Sequence, residues 1–317
     1  GPRLAENADG IGLFFVAGTA QPAAQVQATV LFRHQLDAAA LSAGPVSLLQ
    51  QAWGGNYSWN QGIDYHSDDS YEVFGYGITT AGGMRLAVAH SWEVGGGGST
   101  YSHSTNTIQN FEDVELIDGG DGNLELVACD EGGGTLVWMR GSPATWYGGT
   151  TTREEELLNA KSGACSTIPS TAKVYTAENG ALQSYSSSGS NLTASGNQSG
   201  WTANDIESSE NGHSLWVVAD GAAGIYVALD GQTDRLAATD ATRVDASVDS
   251  QGRLYVVAVD NGVPVLWWGS PGAMVQATLD PQLASVEDVA VLATSNNDAL
   301  IAIRGGVTIV YGWAKLP

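Results

Sequence analysis

The chain has few of the features that mark membrane proteins or nucleic-acid-binding proteins. No run approaches the roughly 18 apolar residues that a spanning helix needs, so we predict no membrane insertion. Only 12 residues are Lys or Arg, against 34 Asp and Glu, and the net charge is −22. Phosphates require a basic protein surface, so this balance argues against a nucleic-acid partner. Lysine is rare while Ala and Gly are abundant, which indicates a bacterial source.

Cysteine is also scarce, since Cys129 and Cys165 are the only two. They lack the Cys-x-x-Cys spacing that is typical of zinc sites. In an exported protein such a pair is more often a disulfide, which would stabilise the fold by about 3–4 kcal/mol. We therefore predict a bond between them and an extracellular, cell-surface or periplasmic location.

Familiar catalytic motifs are missing too. The sequence has no Gly-x-Ser-x-Gly elbow, no His-Glu-x-x-His pair and no phosphate-binding glycine loop. The motifs therefore favour a protein that is not an enzyme.

What the sequence does contain is a repeated pattern of turn glycine, apolar strand, second turn and second apolar strand. Its copies begin at Gly10, Gly83, Gly122, Gly180, Gly212, Gly252 and Asn297. Such a unit, recurring about every 40 residues, is typical of a β-propeller. We predict an all-β fold: a single β-propeller domain over residues 1–317, with four-stranded antiparallel blades. Seven blades fit best, and six or eight remain open.

Two long gaps between the repeats predict insertions. The first is an aromatic-rich insertion over about 50–104. The second, over about 148–170, contains Arg153–Lys161, the one segment of helical composition. We also predict one blade completed from both termini, with Leu300–Ile303 and Thr308–Trp313 beside Leu13–Val16.

The first insertion is the predicted ligand-binding surface. Flat rings beside hydroxyl and amide groups suit the faces of sugars. The candidate ligand-binding residues are Trp53, Tyr57, Trp59, Tyr65, His66, Asp68, Trp92, Tyr101 and His103. The alternative is that most of these rings form core between blades.

Three of the residues in this region suggest a different chemistry. On a strand, Asp64, His66 and Asp68 would share one face. A carboxylate–imidazole–carboxylate row could hold a divalent metal or carry out acid–base catalysis. Solvated loop residues would give the same pattern.

The unit over about 111–140 contains Asp118-Gly-Gly-Asp121-Gly-Asn123-Leu-Glu125 and resembles an FG-GAP/VCBS-type propeller repeat. The resemblance implies a calcium ion bound by the oxygens of Asp118, Asp121 and Glu125. This chain departs from the family pattern at Gly119, which replaces an oxygen ligand, and the other units have only single acids at this point.

These patterns together predict an exported, non-enzymatic β-propeller that binds a glycan or a protein at a cell surface or in an extracellular matrix. A propeller glycosidase or polysaccharide lyase that uses the Asp64, His66 and Asp68 region is one alternative. A structural assembly subunit is another.

Overall fold

The computed structural model consists almost entirely of antiparallel β-sheet. It describes residues 2–7, 10–18, 29–35, 46–47, 58–67, 70–79, 85–93, 96–105, 111–119, 121–130, 135–158, 164–168, 173–178, 181–188, 191–198, 203, 205–209, 213–221, 223–294 and 298–314. These residues form seven sheets, each built from strands that follow one another along the chain. The all-β fold and the seven predicted units are confirmed.

The chain divides into two compact units. The first, Arg3–Leu116 with Gly122–Ser162, holds three four-stranded sheets and one short helix. The first sheet contains β1 Arg3–Asn7, β2 Gly10–Gly18, β3 Thr29–Gln35 and β4 Val46–Ser47. The second contains β5 Ser58–Ser67, β6 Tyr71–Thr79, β7 Arg85–Glu93 and β8 Gly98–Thr105. The third contains β9 Phe111–Asp118, β10 Leu124–Asp130, β11 Thr135–Gly141 and β12 Arg153–Leu158, with helix α1, Pro143–Tyr147, between its last two strands.

The second unit, Ile117–Asp121 with Gly163–Pro317, holds the other four sheets. Its first sheet contains β13 Ala164–Ile168, β14 Lys173–Glu178, β15 Ala181–Ser188 and β16 Asn191–Gln198. The next contains β17 Asp205–Ser209, β18 Leu215–Ala219, β19 Ile225–Leu229 and β20 Gln232–Leu236. The sixth sheet of the chain contains β21 Ala241–Val248, β22 Leu254–Asp260, β23 Val263–Gly269 and β24 Val275–Thr278. The last has three strands: β25 Asp288–Ala293, β26 Ala299–Gly305 and β27 Thr308–Ala314.

Strand β22 shows why the inner strands read as continuous apolar runs. Leu254, Val256 and Ala258 belong to one buried cluster, shared with the preceding sheet. Tyr255 and Val257 belong to another cluster, shared with the last sheet. Successive side chains of a strand point to opposite faces, so a strand covered on both faces must be apolar at every position.

The region predicted as an aromatic insertion is instead a regular sheet. Residues 58–105 form β5–β8, paired in order like the other sheets. Gly83, one of the seven predicted turn positions, lies between β6 and β7, so this sheet is one of the repeated units that the sequence pattern counted.

The second predicted insertion is also wrong. Arg153–Leu158 is a strand, not a helix, and β13 follows it at Ala164. Arg153 and Glu155 lie on the same face of β12 and form an ion pair, and the Arg153 guanidinium lies 5.2 Å from the Trp138 ring centre. Contacts of this kind, at alternate residues, favour a strand over the helix that Glu-Glu-Glu-Leu-Leu would prefer locally.

The helix that does form, α1, begins ten residues earlier than the segment predicted to be helical. Ser142 caps its N-terminus: its hydroxyl accepts the Thr145 N–H, and the Thr145 hydroxyl accepts the Ser142 N–H. Pro143 occupies the first turn, where no donor is needed. Trp146 is fully buried, in a cluster with residues of the second and third sheets.

The blade expected to combine both termini is not found. Leu13–Val16 lies in β2, which has β1 on one side and β3 on the other. Both edges of β2 are therefore occupied, while β26 pairs with β25 and β27. Each end of the chain thus builds its own sheet.

Two further properties concern the environment of the fold. Cys129 and Cys165 are disulfide-bonded, as predicted. Within the described part of the chain, no helix has the length and hydropathy of a membrane span.

Candidate functional site

The rings expected to form a ligand surface are partly accounted for by core packing. Tyr65 is buried, its ring centre lies 5.0 Å from that of Phe74, and its hydroxyl donates to Glu72 at 2.9 Å. His66 is half-buried in β5. Trp53, Tyr57 and Asp68 lie outside the described residues, as do the side chains of Trp59, Tyr101 and His103 in β5 and β8.

Trp92 is the ring of this set that reaches toward the surface. It is half-buried and stacks on His90, with ring centres 5.8 Å apart and planes inclined by 13°. Gly98 faces it across the strand pair, and a Cβ there would come within 2.7 Å of Trp92 Cε3. Only glycine therefore fits beside this stacked pair.

His90 itself is buried, and burial lowers its pKa to about 4 because the charged imidazolium would lose its hydration. Among the described residues, neither ring nitrogen has a hydrogen-bond partner. His90 therefore stays neutral in the native state at pH values where an unfolded histidine is charged.

We expect this histidine to make the fold acid-sensitive. His90 takes up a proton near pH 6.5 in the unfolded chain but only near pH 4 in the native chain. Neutral His90 therefore makes its full contribution to the free energy of unfolding above about pH 6.5. That contribution is lost as the pH falls toward 4. The difference between the two pKa values corresponds to about 3 kcal/mol in the free energy of unfolding. Urea unfolding from pH 7 to 4 should show a shallower pH dependence for His90→Gln than for the wild type. Equal slopes for His90→Gln and the wild type would contradict the assignment.

Asp64, the first member of the predicted acid–base row, is held by the backbone. Its Oδ1 accepts the Tyr65 N–H at 2.8 Å, and its Oδ2 accepts the Leu116 N–H of β9 at 2.7 Å. Burial raises the pKa of Asp64, and the Arg3 guanidinium 3.9 Å away opposes that rise. Arg3 also bonds Glu115, at 2.5 Å.

The same arrangement recurs in the second unit. Asp205 Oδ1 accepts the Ile206 N–H at 3.1 Å, and its Oδ2 accepts the Val244 N–H at 2.9 Å. Asp245 accepts the Ala246 N–H at 2.8 Å and the Val291 N–H at 2.6 Å. In each case an aspartate on the first strand of one sheet bonds its own successor and the first strand of the next sheet. We call these three residues the inter-sheet aspartates.

The recurrence of this bonding argues against the acid–base role that the enzyme alternative gives to Asp64. Asp205 and Asp245 share the bonding of Asp64 without any equivalent of His66 two residues on, since Glu207 and Ser247 stand there. A role common to all three positions is the joining of sheets. This favours a structural role for Asp64 over an acid–base role.

Of the three predicted calcium ligands, Glu125 has both carboxylate oxygens occupied by protein partners. Glu125 is buried, its Oε2 accepts the Trp138 indole N–H at 3.0 Å, and its Oε1 forms an ion pair with Arg140. Asp118 is half-buried at the end of β9, and Asp121 is exposed. Calcium binding by Asp118 and Asp121 stays a prediction.

The most exposed aromatic residues of the described chain were not among the predicted ligand-binding residues. Tyr311 and Trp313 on β27 are 39% and 49% exposed. Val310 and Ala314 pack on the cluster beneath the last sheet, so the alternate residues Ile309, Tyr311 and Trp313 lie on its other face. We call these three the aromatic face of β27. The apolar residues of β27 are visible in the sequence, but a strand that is buried on both faces would have a similar sequence.

Other exposed apolar residues lie nearby in the chain. Among the described residues, all the large hydrophobic side chains that are exposed lie in the last two sheets or in the turn between β26 and β27: Val263, Val275, Val307, Tyr311 and Trp313. Only Tyr311 and Trp313 share one face of one strand. The aromatic face of β27 is therefore the strongest candidate binding surface.

Comparison with known proteins identifies the fold. No protein-family model and no curated protein matches the chain. Among solved structures, the chain is similar to the WD40 β-propeller domain of Doa1, with a TM-score of 0.55, 13% identity and coverage of 96% of this chain and 94% of that one. It is also similar to BBS1N in a complex with ARL6DN, with a TM-score of 0.50, 9% identity and coverage of 82% and 75%. The chain thus has a β-propeller fold.

Proposed function

We propose that this protein is an exported, non-enzymatic β-propeller that binds a protein or a glycan at a cell surface or in an extracellular matrix. The observation that carries the proposal is the aromatic face of β27, where Tyr311 and Trp313 stand exposed two residues apart. Tyr and Trp are the residues that most often dominate binding energy, because each offers a large apolar face together with a polar edge.

A protein ligand is favoured over a glycan. One solved neighbour, BBS1N, was crystallised in a complex with ARL6DN, so a propeller of this general fold can carry a protein partner. The aromatic face of β27 adds the aliphatic side chain of Ile309 to its two rings, and an aliphatic side chain suits the apolar surface of a protein better than a sugar. The net charge of −22 favours a partner that is neutral or basic.

Export is supported by the disulfide between Cys129 and Cys165, because disulfides persist in oxidising compartments. The glycosidase or lyase alternative is weakened by the position of Asp64, whose two oxygens both accept backbone N–H groups. The assembly-subunit alternative is compatible with the same aromatic face.

The test is the removal of one exposed indole. With a ligand identified on a glycan array or by purification of a bound partner, Trp313→Ala should weaken binding by about 1–3 kcal/mol while the melting temperature stays nearly unchanged. Val275→Ala is the matched control: Val275 is 52% exposed on β24 of the neighbouring sheet, and its loss should leave binding intact. Wild-type affinity in Trp313→Ala would place the binding surface elsewhere.

A further inference from the structure

The buried imidazole of His90 occupies its position without a hydrogen bond. Its side chain is 4% exposed, and neither ring nitrogen has a partner among the described residues. A neutral imidazole still carries one N–H donor, and a buried donor without an acceptor is costly until water can reach it. The closed position of His90 therefore depends on packing, and contact with water would relieve the cost of the unmade bond.

Two neighbours on the same face of the second sheet supply that packing. The Trp92 ring lies against the imidazole, with ring centres 5.8 Å apart, and is itself half-buried. Gly98 of β8 lies beside Nε2 of His90, since a Cβ at this glycine would come within 2.4 Å of that nitrogen. Gly98 is exposed to solvent, so on this side one glycine covers the buried nitrogen. We call His90, Trp92 and Gly98 the His90 latch.

The His90 latch lies at the end of the hairpin that joins β7 to β8. In the described part of the chain, two backbone bonds close this turn: the Glu93 N–H donates to the Gly97 carbonyl at 3.1 Å, and the Gly96 N–H donates to the Glu93 carbonyl at 2.9 Å. Gly96, Gly97 and Gly98 are all exposed, and glycine gains more backbone freedom on release than any other residue. The end of the hairpin can therefore open while the rest of the sheet stays paired.

The charges around His90 do not compensate a proton on its ring. The titratable residues of β5–β8 on this face of the sheet are Tyr65, Glu72, Tyr76 and His90. Glu72 is the only carboxylate of the four, and its Oε1 already accepts the Tyr65 hydroxyl at 2.9 Å. Helix α1 packs on the opposite face of β7, through Trp146. A charged imidazolium in the closed position would thus lose its hydration without gaining a counterion from these strands.

From these contacts we propose that the His90 latch is an acid-opened switch, in which a proton on His90 expels the imidazole from beneath Gly98 and releases the end of the β7–β8 hairpin. In the open state the imidazolium donates both N–H groups to water, and the half-buried Trp92 ring becomes exposed. The switch lies in the first unit and uses no residue of β27, so it is independent of the proposed ligand binding.

The direction of the response follows from proton linkage. His90 takes up a proton near pH 6.5 when it is exposed to water, but its pKa is lowered to about 4 in the closed position. Opening is therefore coupled to proton uptake and becomes more favourable as the pH falls from about 6.5 to 4. Between pH 7 and pH 5 the opening equilibrium constant should rise about 20-fold.

Hydrogen exchange of the full chain, followed by mass spectrometry at pH 7 and pH 5 and corrected for the intrinsic exchange rate, tests the switch. Protection of the wild-type peptide Trp92–Thr100 should fall about 20-fold at pH 5. Low urea should not change this exchange, because a local opening exposes little new surface, whereas exchange in β22 should become faster. Protection that is equal at the two pH values, or hairpin exchange that follows urea as β22 does, overturns the switch.

Two glycine variants test the contact that keeps the latch closed. Gly98→Ala places a Cβ against the imidazole, so at pH 7 its hairpin should exchange as fast as the wild-type hairpin does at pH 5. Gly97→Ala is the matched control: its Cβ would meet nothing within 4 Å, and it should keep wild-type protection and the wild-type pH response. Equal exchange in the two variants at pH 7 overturns the role of Gly98.

A third variant tests the imidazole itself. His90→Gln has no group that titrates at this position, so protection of its hairpin should be the same at pH 7 and pH 5. A fall of about 20-fold that persists in His90→Gln would assign the pH response to another residue and overturn the proposal.

Discussion

Replacing Trp146 with alanine should lower the free energy of unfolding by about 3–5 kcal/mol, a large share of the roughly 5–15 kcal/mol that is ordinary for a folded domain. Trp146 is fully buried between two sheets, and its indole N–H donates to the Thr151 hydroxyl at 3.3 Å. Gly141 lies directly against the ring, since a Cβ there would come within 2.7 Å of the indole nitrogen. The substitution leaves a cavity that neighbouring side chains on two sheets cannot fill together.

The measurement is urea unfolding, with Trp313→Ala as the matched control. Both variants lose an indole, but Trp313 is 49% exposed, so its loss should change the free energy of unfolding by less than about 1 kcal/mol. Trp146→Phe should lie between wild type and Trp146→Ala. Equal losses in the two alanine variants would mean that α1 is not anchored by its tryptophan.

The second large effect is expected at an inter-sheet aspartate. Asp245→Ala leaves the N–H groups of Ala246 and Val291 without their buried acceptor. Each unsatisfied buried donor costs about 1–3 kcal/mol, so the combined loss from the two donors should be about 2–6 kcal/mol. Asp245→Asn keeps one acceptor oxygen and should lose less than the alanine variant.

Asp234→Ala serves as the control for this prediction. Asp234 accepts the N–H of its own successor, Arg235, at 2.7 Å and the Gly272 N–H at 2.7 Å, but both bonds are exposed to solvent. We expect a loss below about 1.5 kcal/mol in urea unfolding, because water can replace an exposed acceptor. If Asp245→Ala and Asp234→Ala lose equal amounts, the burial of the Asp245 bonds contributes nothing to the joining of the sheets.

Hairpin turns are the part of the fold that the sequence predicts well. Gly122 and Gly252 have φ of +79° and +75°, as expected of turn glycines. The requirement for positive φ at a tight turn depends on the few residues around it, so it leaves a local signature that repeats with every hairpin. Counting these signatures predicted seven units, and the described residues form seven sheets.

Segments whose local preference conflicts with their neighbours were predicted wrongly. Arg153–Leu158 has the composition of a helix, yet pairing with β11 makes it a strand. The sheet over residues 58–105 was mistaken for an insertion because its aromatic residues are separated by Gly and Ser, a composition that exposed loops share. In both regions the deciding contacts come from strands whose pairing partners cannot be read from a short window.

The candidate sites depended still more on tertiary structure. Sequence alone placed Asp64 in a row with His66 and Asp68, because residues two apart share a face of a strand. Its actual partner, the Leu116 N–H, lies 52 residues away on another sheet, and no local pattern encodes that distance. Whether Tyr65 or Trp313 is exposed likewise depends on which sheet face covers it. The sequence by itself determined the composition, the turns and the alternation of the strands, because these depend on neighbouring residues. Burial and inter-sheet bonding were decided only by the packing of distant strands.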